Sequence, residues 1–133
     1  MTEGERQGNE LGNFCAQALE LALRHDKFLF VKNPAPSGRY PKIWDLPRWK
    51  ALLKNPRVQK IPWACCAWNL HPSDGEPGDF YQKRSWGVCT RVEGLEARLG
   101  RACPGRSDAH RHVPLSGSAE GAKITRCQEA GQY

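Results

Sequence analysis

At 133 residues the chain has the length of one domain, and 39% hydrophobic against 26% charged residues leave it a thin core. A formal charge of +6 and a pI near 9.2 suit a polyanionic partner. No run approaches the roughly 18 apolar residues that cross a bilayer, and the polar start Met1–Gly8 has no apolar signal core. The expectation is an intracellular protein, nuclear or cytoplasmic, with no membrane partner. In a reducing compartment the six cysteines read as thiols or ligands rather than as three disulfides. Five tryptophans supply much of the buried area. A mean hydropathy of -0.68, 13 glycines and 10 prolines point to long loops.

Leu11, Phe14, Cys15, Ala18, Leu19 and Ala22 recur at helical spacing, which predicts an amphipathic helix over about residues 10–25 with Cys15 on its apolar face. Lys27–Val31 follows as a short apolar run without alternation, the pattern of a strand buried on both faces of a parallel sheet. The polar loop 32–38 then sits at the strand's carboxyl end, where open α/β sheets bind ligands. Its candidate ligand-contacting residues are Lys32, Asn33, Pro34 and Ser37.

Asp45 is expected to cap a second helix, with Pro47 in its first turn and Leu46, Trp49, Leu52 and Leu53 facing inward. Asn55-Pro56 stops it. On that helix Lys50, Lys54 and Arg57 fall at i, i+4 and i+7 and form a candidate face for nucleic-acid phosphates, within a basic stripe that runs from Arg39 to Lys60. Val58–Cys66 reads as a strand edged by Pro62, and Phe80–Thr90 as another with Trp86 and Val88 on one face. The two are candidates for antiparallel pairing across the acidic loop 69–79. Leu95 and Leu99 suggest a short helix, and a weak helical pattern runs from Ile124 to Ala130.

The predicted order is therefore helix, strand, helix, two strands, short helix. It divides into a partial α/β domain over 1–102 and a loop-rich Cys/His tail over 103–133. In that tail Cys103, His110 and His112 can chelate one zinc ion, because residues i and i+2 of an extended segment point the same way. Cys66 with His71 is a further donor pair. The alternative is exposed histidines and a packed thiol, since no Cys-x-x-Cys pair anchors the set. No P-loop, nucleophile elbow or His-Glu-x-x-His motif occurs.

Gly8-Asn9-Glu10-Leu11, Phe30–Ser37, Ile43-Trp44-Asp45-Leu46-Pro47, Cys66–Asp74, and Cys103-Pro104-Gly105 with His110-Arg111-His112 together resemble methyltransferase-like proteins carried by eukaryotic retroelements. In that family the corresponding segment is the C-terminal half of a domain similar to cytosine-5 DNA methyltransferases. The resemblance implies an incomplete Rossmann-like, methyltransferase-type sheet, S-adenosylmethionine as cofactor and DNA cytosine as substrate. Such chemistry needs a glycine-rich cofactor turn, a Pro-Cys nucleophile and a Glu that holds the flipped base. The sequence has no Pro-Cys dipeptide and no such turn, and Lys32 stands where the family pattern has Glu. It ends at Gln132-Tyr133, where the family pattern continues.

The expectation is a non-catalytic fragment or relic that binds no cofactor by itself and contacts DNA or RNA weakly and without sequence preference. One alternative is a small basic zinc- or nucleic-acid-binding module. Another is a methyltransferase half that needs its N-terminal half as a partner chain.

Overall fold

A computed structural model describes residues 1–115 and 125–131. Ile124, Gln132 and Tyr133, which entered the sequence reading, lie outside the described residues. The fold is mixed α/β, with a three-stranded and a two-stranded sheet among the described residues. The chain forms two compact units, Met1–Pro62 with Ser85–Leu99, and Trp63–Arg84 with Gly100–Tyr133. The division does not fall at residue 102: the Cys/His segment shares a unit with Trp63–Arg84. Among the described residues no helix is long and apolar enough to cross a membrane.

Helix α1 (Glu3–Arg24) begins well before residue 10 because Thr2 caps it. The Thr2 hydroxyl accepts from the Glu5 N–H at 3.2 Å, and the Glu5 carboxylate accepts from the Thr2 N–H, a reciprocal box that satisfies two donors. At the other end Asp26 takes a left-handed φ of 51°. The Lys27 N–H then reaches the Ala22 carbonyl, which closes the helix. Gly12, Ala16, Leu19, Ala22 and Leu23 form the buried face.

That face packs on Trp44, Trp49, Leu52, Val58 and Val88. Trp44 lies in a 3-10 turn (Ile43–Asp45) and Trp49 in helix α2 (Pro47–Leu52). Their rings meet edge to face at 4.9 Å, and each indole N–H finds a carbonyl, Trp44 that of Pro34 and Trp49 that of Gly12, both at 2.9 Å. Pro47 opens α2 as expected, but its N-cap is Leu46. Asp45 instead accepts from the Lys42 N–H and serves the preceding turn.

Gly12 suits this close approach. A Cβ there would stand 2.8 Å from Leu46 Cδ1 and 3.0 Å from Ile43 Cγ2, inside contact distance and against apolar side chains of the core. Gly12→Ala is expected to destabilise the first unit by roughly 1–3 kcal/mol despite alanine's better helix propensity. Thermal denaturation followed by far-UV circular dichroism measures this; an unchanged or raised midpoint would contradict the packing.

Strand β1 (Phe30–Pro34) departs from the sequence expectation. Residues Phe30 and Val31 are only half-buried, Lys32 is exposed, and the strand lies at an edge of the order β1-β4-β2, where β2 is Val58–Ala64 and β4 is Arg84–Thr90. It runs antiparallel to β4, with Phe30 opposite Cys89 and Pro34 opposite Ser85. The step from α1 to β1 is thus not half of a parallel unit. A short apolar run looks the same whether it is central or an edge strand packed on one face by tryptophans, and Pro34 belongs at an edge. Strands β2 and β4 are neighbours, as anticipated. The run read as one strand over Phe80–Thr90 is two, however: Asp79–Tyr81 belongs to the second sheet and only Arg84–Thr90 to the first. Strand β2 stops at Ala64, and Cys65-Cys66 turn away. Trp86 and Val88 both belong to the core of the first unit. Helix α3 (Leu95–Leu99) also forms.

The second unit pairs β3 (Asp79–Tyr81) in parallel with β5 (Arg111–Val113), Phe80 opposite His112. Its core is small: Cys65, Leu70, Tyr81 and Ala130, with Trp63, Val113 and Leu115 against them. Polar ties hold helix α4 (Arg126–Gly131) to it. The Tyr81 hydroxyl donates to Glu129 at 2.8 Å, Lys83 donates to the Ala130 carbonyl at 2.7 Å, and Arg126 forks onto both oxygens of Asp74.

Candidate metal centre

Four donors from three stretches of the second unit converge: Cys66, Cys103, His110 and His112, with all ligand atoms within 4.8 Å of one another. Cys66 stands in a 3-10 turn (Cys65–Trp68) that follows β2 directly and ends where Asn69 takes a left-handed φ of 63°. His110 closes a tight turn in which it and Ser107 exchange backbone hydrogen bonds at 3.0 and 3.1 Å. His112 follows on β5. The parallel pairing with β3 brings Phe80 flat against the His110 ring, with centroids 4.6 Å apart. Gly78 lets the His110 loop approach: it has a φ of 92°, and a Cβ there would meet the Ala109 carbonyl oxygen at 3.0 Å.

The three distances among Cys103, His110 and His112 match the coordination edges of an ion. The two imidazole Nε2 atoms are 3.2 Å apart, and Cys103 Sγ is 3.5 Å from each. A tetrahedral zinc with Zn–N of ~2.05 Å and Zn–S of ~2.3 Å sets N···N edges of ~3.3 Å and S···N edges of ~3.6 Å. The Gly105 N–H points at Cys103 Sγ from 3.4 Å, a backbone donor of the kind that stabilises a metal-bound thiolate. Cys66 and His110 are buried, Cys103 and His112 half-buried. Among the described residues the buried His112 Nδ1 has no hydrogen-bond partner.

Electrostatics in the metal-free state favour the neutral forms of Cys66 and His112. Burial, and next the neighbouring Cys103 thiol, push the Cys66 thiol up to about 11. Burial, His110 and Arg106 hold His112 below its ordinary 6.5. Folding therefore favours the neutral His112, which contributes stability present above about pH 6.5 and lost as pH falls through its lower folded value. Metal binding at neutral pH must displace the Cys66 proton. We expect at least one proton released per ion near pH 7, and ion release on acidification below about pH 6. Calorimetry in buffers of different ionisation enthalpy measures the first; binding with no proton release would contradict thiolate ligation.

No protein-family model, curated protein or solved structure matches the chain. The functional reading therefore rests on this geometry.

Sequence reasoning placed Cys103, His110 and His112 in one candidate site, and the structure brings these three together. Cys66, offered from the sequence as a further donor together with His71, joins them as the fourth candidate ligand. His71, the partner suggested for Cys66, instead places Nδ1 2.8 Å from the Asn69 carbonyl.

The other candidate residues lie in the first unit. Lys32, Asn33 and Pro34 are in β1, with Ser37 exposed beyond it. Asn33 and Pro34 border an open groove of about 730 Å³ together with Tyr40 and Ile43. Lys50 is exposed on α2, but that helix ends at Leu52. Lys54 and Arg57 therefore do not continue one helical face. Arg57 is also engaged, donating to the Leu23 carbonyl at 2.9 Å and pairing with Asp26.

Proposed function

We propose that the chain is a non-catalytic binding module whose second unit is organised by one structural zinc ion. The observation that carries this reading is the convergence of two thiols and two imidazole nitrogens within 4.8 Å, with the edges among Cys103, His110 and His112 at tetrahedral lengths. Mixed sulfur and nitrogen donors in that geometry select zinc over harder cations. Two thiolates neutralise the dication, so a half-buried centre carries no net charge. Four protein ligands leave no open position for substrate or water, as in structural rather than catalytic sites. The small core of the second unit supplies the need for a metal staple.

The resemblance to retroelement methyltransferase-like proteins involves the same residues. Two of its motifs, Cys66–Asp74 and Cys103-Pro104-Gly105 with His110-Arg111-His112, contain all four donors. In this chain those motifs serve the metal centre, and no Pro-Cys nucleophile accompanies them. A methyltransferase-type sheet and an N-terminal partner half belong to that relationship as proposals. The test is metal content: purified protein should retain one zinc per chain through gel filtration, and loading with magnesium or calcium should fail.

Nucleic acid is the partner class that one further observation favours. Trp68 is 40% exposed, and the Arg101 guanidinium stacks over its ring at 3.9 Å, each residue two positions from a metal ligand. An exposed indole with a stacked arginine is a surface on which bases stack. Single-stranded oligonucleotide should bind weakly, with affinity that falls as salt rises. Trp68→Ala should cost on the order of tenfold while leaving zinc bound. Fluorescence anisotropy checks both; binding indifferent to salt would remove the nucleic-acid reading.

A further inference from the structure

Helix α1 carries a second apolar stripe that its own core does not use. Leu11, Phe14 and Leu21 are 64%, 66% and 53% exposed, with Ala18 half-buried between them. Steps of three, four and three residues are the seam spacing of a coiled coil. At about 100° per residue this stripe is centred roughly 135° from the buried one, so it faces away from the core of the first unit.

We infer that this stripe is the seam of a homodimer in which α1 packs antiparallel against α1 of a second copy. Size is self-complementary in that arrangement. One register sets Phe14 against Ala18 of the second copy and Leu11 against Leu21, and the two-fold axis repeats both layers with large facing small and leucine facing leucine. Charge is complementary in the same register. The residues flanking the seam on its outer side are Glu10, Gln17 and Arg24. Antiparallel packing faces Glu10 with Arg24 of the second copy, Gln17 with itself, and Arg24 with Glu10, which makes two symmetric ion pairs.

Glu10 already pairs with Arg6 through one carboxylate oxygen, and the other is available to accept. The opposite flank is Gly8, Cys15 and Ala22, of which Cys15 and Ala22 pack toward their own core. A parallel pair would set Glu10 against Cys15 and Gln17 against Ala22, with no charge partner. One operator that matches both size and charge argues for a second copy over an unrelated chain.

Sedimentation equilibrium of the full chain tests this. The mass should rise with concentration from 15.0 kDa toward twice that. Phe14→Glu should leave a monomer at every concentration; should it lose helix signal, Leu21→Lys on the same stripe serves instead. Glu10→Arg and Arg24→Glu should each weaken association by about three- to tenfold, and the double variant should restore it. A wild-type monomer throughout, association untouched by Phe14→Glu, or a double variant no tighter than the singles would overturn the inference. The stripe lies in the first unit, so the outcome is separable from the fate of the metal centre.

Discussion

Cys66→Ser is expected to lose the metal and, with it, the fold of the second unit. A serine hydroxyl remains protonated at neutral pH and is a poor zinc ligand, so affinity should fall at least about 100-fold. Structural zinc sites in small peptides supply roughly 10–16 kcal/mol of apparent binding energy. That is large beside what four buried residues, Cys65, Leu70, Tyr81 and Ala130, can contribute. Hydrogen exchange should show β3 and β5 unprotected in the variant, while α1 keeps its protection because the first unit has its own core. His71→Ala, at a histidine outside the cluster, should change neither zinc content nor exchange. Loss of metal with β3 and β5 still protected would show that the ion is not structural.

Trp49→Ala is expected to have the converse effect. Trp49 is fully buried, meets Trp44 edge to face, and donates to the Gly12 carbonyl. Truncation removes that volume at a cost of about 3–5 kcal/mol, together with the indole's additional bond to the mid-helix Gly12 carbonyl. A domain stable by roughly 5–15 kcal/mol would lose a large part of its margin. The first unit should melt far below the wild type or fail to fold, while zinc stays bound by ligands that all lie in the second. Trp49→Phe keeps most of the volume and should cost less than half as much. Urea denaturation followed by far-UV circular dichroism gives both values; equal stabilities for the two variants would mean that Trp49 is not the keystone of this core.

These two cores were unequally legible in the sequence. The inward set Leu46, Trp49, Leu52 and Leu53 could be read from helical spacing and Pro47, because each signal is local. The start of α1 was legible too, in Thr2 and Glu5, but apolar periodicity passes over a capped polar turn. The placement of β1 was not legible. Whether Phe30 and Val31 sit at the middle or the edge of a sheet depends on β4, more than fifty residues away, and nothing local encodes the pairing. Lys54 and Arg57 failed as a helical face for a local reason, since α2 ends before them and Asp26 claims Arg57. The donors of the metal centre were legible, but not that Cys66 joins the other three without His71. His110 and His112 announce themselves by spacing, whereas Cys66 reaches them only through the turn after β2 and the parallel pairing of β3 with β5.

The central claim is a single zinc ion bound by two thiolates and two imidazoles, and zinc K-edge X-ray absorption on the singly loaded chain tests it most directly. The first shell should show two sulfur atoms at ~2.3 Å and two nitrogen atoms at ~2.0–2.1 Å, with outer-shell scattering from two imidazole rings. A shell of nitrogen and oxygen alone, or one sulfur with a bound water, would contradict the account.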